Sequence, residues 1–209
     1  DDLLSPATAT NRFPFAAAMG NVDGQMMGFI MGVDLQHAVY RPELFGAPPL
    51  LWSDVISAPA PFLFAAAGRD RQVNEATLMQ VLAAGSELAD DEGKPALDRP
   101  ALLRVWGFYS DCIASGVISP AVALSLEDED QVWDAFAAGQ GSIAVVSAGR
   151  YWREAERAYG AAPIPTRDGQ PFTVVTGGWA IGMVTEDQAR QALAMLLLDW
   201  LIAFDHNAQ

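Results

Sequence analysis

Basic side chains are scarce in this 209-residue chain: 12 Lys and Arg stand against 26 Asp and Glu, for a formal net charge of -14, and Lys94 is the only lysine. With no basic stripe to neutralise phosphates, nucleic acid is not an expected partner. Cysteine is scarcer still. Cys112 alone excludes an internal disulfide or a cysteine-only metal cluster, and its place on the apolar side of a helical pattern reads as core packing. The two histidines, His37 and His206, stand far apart without a partner at ligand spacing, so no metal site is expected. No window reaches the ~20 apolar residues of a membrane span. The richest, residues 192–204, is interrupted by Asp199. The chain opens Asp1-Asp2 without a charged-then-apolar leader, so any targeting segment is expected to lie outside it.

Catalytic signatures are missing as well. Gly139-Gln140-Gly141-Ser142-Ile143-Ala144 matches G-x-G-x-x-A, but it follows an expected helix and precedes an expected strand, the reverse of the strand-then-helix order that dinucleotide binding requires. No G-x-S-x-G elbow occurs, and Cys112 sits in a helix body. Carboxylate pairs such as Asp90-Asp91 and Glu127-Asp128 fall in polar turns, where a solvated surface is the simpler reading. The expectation is a protein that is not an enzyme and carries no cofactor.

What is present is a globular composition, 51% hydrophobic, with mixed α and β patterning. Asp23-Gly24 reads as a turn, followed by strand candidates at residues 26–31 and 33–40 broken at Gly32. A short helix is expected at 52–56 and a buried strand at 62–64. Helical spacing then runs from Val73 to a stop at Gly85, and from the N-cap Asp98 to Gly116. Ser125-Leu126-Glu127-Asp128 resembles a capping box before the face Val132, Trp133, Phe136. A strand at 142–146 and a short helix at 151–157 follow. Thr185-Glu186-Asp187-Gln188 reads as a capping box for a last helix whose stripe holds Ala189, Ala192, Leu193, Leu196 and Trp200. Trp52, Trp106, Trp133 and Trp200 lie on helical apolar faces and are expected in the core.

One stretch resists this reading. Gly177-Gly178-Trp179-Ala180-Ile181-Gly182 continues the β-branched run 172–176, yet paired glycines weaken a strand and usually mark a bend or the close approach of another group. Aromatics, glycines and a few polar groups together suit a neutral polar ligand, since an aromatic face lies against the C–H face of a sugar ring while carboxylates and amides meet its hydroxyls.

The order of motifs then resembles one family. Asp23-Gly24-Gln25-Met26-Met27-Gly28-Phe29, Val39-Tyr40-Arg41-Pro42-Glu43-Leu44-Phe45 and Pro48-Pro49-Leu50-Leu51-Trp52-Ser53-Asp54-Val55 are followed by Glu92-Gly93-Lys94-Pro95, Phe108-Tyr109 through Gly116-Val117, Phe136 to Ala144, Ala162-Pro163-Ile164-Pro165, and Gly177 to Ile181. This series is similar to that of family 1 extracellular solute-binding proteins, the maltose-binding-protein-like receptors of ABC importers. Arg41 stands where the family has Asn, and Leu51 where it has a helix-capping Thr. The loop after Val146 is longer than the family's Gly-Ser-Trp turn.

The resemblance spans residues 22–201 and implies an α/β, type 2 periplasmic-binding-protein-like lobe, with helices packed on a small mixed sheet and remnants of a second lobe. Residues 1–34 are expected to be the remnant of the first lobe and its crossover, 35–176 the main lobe, and 177–209 the return crossover with a first-lobe helix. The implied function is the substrate-binding component of an ABC transporter. It would bind a small polar solute, a carbohydrate first and a polyamine or metal as the variant, between two lobes outside the cytoplasm, with the importer's membrane subunits as partners. The alternative is a ligand-sensing or interaction module built on the same lobe. By position the resemblance implies Asp34 as a polar ligand contact, Gly178 as a close backbone approach and Trp179 as a stacking aromatic, with a second aromatic open between Tyr151 and Trp152. Arg69, with Asp70, follows a strand end and is a candidate either for the site or for a surface ion pair.

Overall fold

Alternation of side chains along three neighbouring strands builds the centre of the larger of two units. In the computed structural model, which describes residues 13–67, 74–154 and 159–203, strands β3 (Phe29–Tyr40), β4 (Phe62–Leu63) and β5 (Ile143–Ser147) lie side by side. Ile143, Val145, Phe62 and Ala38 face one apolar cluster, while Ala144, Val146, Leu63 and Val39 face another. Successive residues point to opposite faces of a strand, so continuous apolar runs are what a sheet covered on both sides requires.

The chain divides into two compact units: Asp1–Val33 with Gly177–Gln209, and Asp34–Thr176. The smaller contains helix α1 (Pro14–Met19), a hairpin of β1 (Asn21–Val22) and β2 (Gln25–Met26), and helix α8 (Gln188–Ile202). Asp23 and Gly24 both have positive φ, at 51° and 79°, the backbone that a two-residue hairpin turn demands. The larger unit holds α2 (Trp52–Ile56), α3 (Glu75–Ala83), α4 (Arg99–Ala114), α5 (Pro120–Ala123), α6 (Glu129–Ala137) and α7 (Ala148–Trp152). Its strands run β4-β5-β3-β6, with β6 at Gly160–Ala162; β7 (Val175–Ile181), most of which belongs to the smaller unit, also pairs β3. β4 is parallel to β5, whereas β5 and β6 are both antiparallel to β3, so this is an α/β arrangement of helices on a small mixed sheet. No described helix is long and apolar enough to cross a membrane.

The two faces of the sheet are filled differently. On one, α2, α3 and α4 bring Trp52 onto Phe108 (centroids 4.6 Å apart) and Phe64 onto Tyr109 (5.4 Å). Gln80 is buried there because both ends of its amide are used: Oε1 accepts from Trp52 Nε1 at 2.7 Å and Nε2 donates to the Pro165 carbonyl at 2.9 Å. Cys112 is fully buried in this cluster, and burial pushes its thiol up to about 12. The opposite face is covered by α6, whose Val132, Trp133 and Phe136 are essentially inaccessible.

Several local expectations need correction. β3 runs unbroken through Gly32, since extended backbone is open to glycine and the neighbouring strand supplies pairing. The cap of α6 is Asp128, which accepts from the Gln131 amide at 2.9 Å, while Gln131 reaches back to the Glu127 amide; the box is shifted by three residues from Ser125. Likewise α8 is capped by Asp187, and Thr185 lies outside, accepting from the Asp187 amide at 3.3 Å. Helix α7 starts at Ala148 rather than Tyr151, because Ser147 caps it. At α2, Leu51 has no acceptor to offer, but Asp54 Oδ2 accepts from the Leu50 and Leu51 amides at 3.0 and 2.9 Å, so half of the box survives.

Two tryptophans expected in the core are on the surface: Trp106 is 59% exposed and Trp200 56%. Trp106 lies at the edge of the buried face of α4, meeting Tyr109 edge-on. In α8 the buried position is Leu198, while Leu193 and Leu196 of the expected stripe are exposed.

Arg41 is used internally. Its Nε donates to the Gly141 carbonyl at 3.0 Å and Nη2 to the Phe136 carbonyl, and the guanidinium lies over the rings of Phe136 (4.9 Å) and Tyr159 (5.2 Å). It thereby satisfies carbonyls at and just after the C-terminal end of α6, where a cation is favoured. Arg41→Ala is expected to destabilise the chain by about 2–4 kcal/mol, and Arg41→Lys, which lacks the planar fork, to recover less than half of that loss. Urea unfolding followed by far-UV circular dichroism measures both; equal stability of all three proteins would contradict this role.

Candidate functional site

The turn from β5 into α7 collects three of the residues singled out by sequence. Asp34, within β3, accepts from the Gly149 amide at 2.9 Å and from its own neighbour Leu35 at 3.0 Å, both through Oδ1. Oδ2 carries neither bond. A β-carbon on Gly149 would come within 2.8 Å of Asp34 Oδ2, so glycine is needed for the carboxylate to sit against the backbone. Ser147 Oγ accepts from the Arg150 amide at 3.1 Å, and Glu129, in the first turn of α6, accepts from the Ser147 amide at 2.9 Å. From sequence, Glu129 reads only as one of the carboxylates at 127–130 that complement the positive end of a helix, for capping and solubility. Its signal is weak, one carboxylate in an acidic run.

The structure separates the two aromatics left open. Tyr151 turns inward: its hydroxyl donates to the Tyr159 carbonyl at 3.0 Å, and its ring packs edge-on to His37 and Trp133 at 5.4 and 6.2 Å. Trp152 points outward and is 69% exposed. Immediately before them in sequence, the buried Arg150 lies 2.7 Å from Asp130 Oδ1, with Asp134 and Glu154 at 3.8 and 3.4 Å, and its guanidinium is 5.0 Å from the Trp133 ring centre. A buried guanidinium demands such company.

Within the smaller unit, Trp179 is 80% exposed on β7. Gly178 has a reason of its own: a β-carbon there would lie 2.6 Å from the Gly32 carbonyl oxygen, so the two strands approach too closely for any larger residue. Arg69, Asp70, Val73 and His206 lie outside the described residues. Among the described residues no group of three His, Cys, Asp or Glu side chains could hold a metal ion. The G-x-G-x-x-A match joins the end of α6 to β5, the order inferred from sequence.

Solved structures of sugar-binding proteins, one of them an ABC transporter solute-binding protein, share this fold. Maltose-bound MalE3 of T. maritima superposes with a TM-score of 0.73 at 18% identity, covering 97% of this chain and 59% of its own. A solute-binding protein of Thermotoga lettingae bound to α-D-tagatose gives 0.71 at 20% identity, over 97% and 58%. The cyclic α-maltosyl-1,6-maltose binding protein of Arthrobacter globiformis gives 0.67 at 20% identity, over 97% and 55%. The chain therefore spans a little over half the length of these structures. No family model matches the sequence, and no curated protein does.

His37 is buried beside this turn, and desolvation holds its imidazole below the ordinary value of 6.5, against the opposing pull of a Val146 backbone hydrogen bond and the carboxylates of Asp34 and Glu129. A base whose folded pKa is depressed binds a proton more readily when unfolded. Stability is then full above pH 6.5 and declines as pH falls from there toward the folded value. Denaturant midpoints measured across this window are expected to fall for the native chain and to flatten in His37→Gln; parallel slopes for the two would exclude His37 as the source.

Proposed function

We propose that this chain is the sugar-binding part of an ABC importer's solute-binding protein, acting outside the cytoplasm and binding without chemical conversion. The observation carrying this reading is the fold shared over 97% of the chain with proteins solved with maltose and with tagatose. The exposed aromatics support it. Trp152 on the larger unit and Trp179 on the smaller present open ring faces, which suit the C–H face of a pyranose. Asp34 adds an acceptor, because one carboxylate oxygen holds the fold and the other is left for a hydroxyl. The finer reading is that the occupied receptor engages membrane permease subunits; the ordered series of sequence motifs supports it.

Titration of the chain with maltose, maltotriose and tagatose, followed by tryptophan fluorescence and thermal melting, tests the reading, with spermidine and zinc as the alternative ligand classes. Saturation at a hundred times Kd adds about 2.7 kcal/mol of stability. Trp152→Ala and Trp179→Ala are each expected to weaken sugar binding by about 1 kcal/mol or more. A sugar response with unchanged affinity in one variant removes that tryptophan from the site. A response to spermidine or zinc alone replaces the ligand class, and no response to any sugar contradicts the proposal.

A further inference from the structure

Helix α7 has five residues, too few to hold a direction by its own hydrogen bonds, so its orientation comes from what grips its start. Three backbone N–H groups there are each taken by a side-chain oxygen. Ser147 donates to Glu129 from α6, Gly149 to Asp34 from β3, and Arg150 to Ser147 Oγ. The neighbour of Glu129, Asp130, holds the Arg150 side chain at 2.7 Å. One helix end thus fixes both the backbone of the turn and the side chain next to it. Amide-to-carboxylate bonds are roughly twice as strong as neutral ones. Trp152 lies in the last position of this short helix, exposed, with its ring 5.7 Å from that of Tyr151. Where its face points follows from the backbone beneath it.

We infer that Glu129 is a positioning residue for the stacking face of Trp152, fixing the turn at residues 147–149 together with Asp34. Its link to ligand rests on the receptor reading above; its grip on the turn does not. A side chain that stabilised the larger unit in general would lower the melting temperature and leave the surroundings of Trp152 as they were.

The test uses the whole chain labelled with 5-fluorotryptophan, with the Trp152 fluorine resonance assigned by its loss in Trp152→Phe. In the ligand-free protein, Glu129→Ala is expected to shift and broaden that resonance while those of Trp106 and Trp200 stay in place. Glu129→Gln, which still offers a carbonyl to the Ser147 amide, is expected to restore the native position. Maltotriose affinity is expected to fall about tenfold in Glu129→Ala and to remain within about threefold of native in Glu129→Gln. If the alanine variant does not fold, Glu129→Asp keeps the charge at the start of α6 and withdraws the acceptor by one methylene; the same shift in Trp152 is expected. An unmoved Trp152 resonance in the folded variants overturns the inference, as does an equal change at all tryptophans. A moved Trp152 with unaltered sugar affinity overturns the link to ligand. A native chain that binds no sugar, with Trp152 still displaced in Glu129→Ala, overturns the receptor reading and leaves the positioning role standing.

Discussion

The rest of the larger unit depends on the pairing of β3 with β5. These strands exchange backbone hydrogen bonds from Gln36–Ser147 to Tyr40–Ile143, and their alternate residues feed two separate apolar clusters. Slipping this register by one residue would turn Val39 toward the wrong cluster and expose every neighbour to the wrong face. Burial on both faces makes that slip costly. The helices α4 and α6, one on each side, close the two clusters and leave α7 to emerge from the end of β5.

The same strand pair places the polar groups of the candidate site. Asp34 lies on β3 just before the paired stretch, and Ser147 ends β5, so the ladder brings a carboxylate to the start of α7. Helix α6 then contributes Glu129 and Asp130 from its first turn. Carboxylates favoured by the positive end of one helix also serve the backbone amides of another. The outcome is an inward Tyr151 and an outward Trp152 on successive residues, a division of roles between packing and exposure.

Gly178 shows how one feature can have two readings. The sequence pointed to a bend or a nearby group; the structure supplies the Gly32 carbonyl of the adjacent strand as that group. Close backbone approach is sufficient to require glycine there. Trp179, next to it, is left exposed on the strand.

Local periodicity and turn chemistry were legible in the chain itself: the Asp23-Gly24 turn, the Asp98 cap, the stops at Gly85 and Gly116, and the buried run 143–146 are each set by neighbours within a few residues. The motif series also pointed to the fold. Which tryptophans are buried was not legible, because Trp106 and Trp133 both satisfy helical spacing and only the elements packed around them distinguish a face from its edge. The role of Arg41 depended on Phe136 and Gly141, 95 and 100 residues away, and the grip of Glu129 on Ser147 spans 18 residues. Sequence determines what each segment can form, since propensity and capping act over one turn; tertiary structure alone decides which orphaned backbone group meets which distant side chain, since those partners are set by how the strands pair.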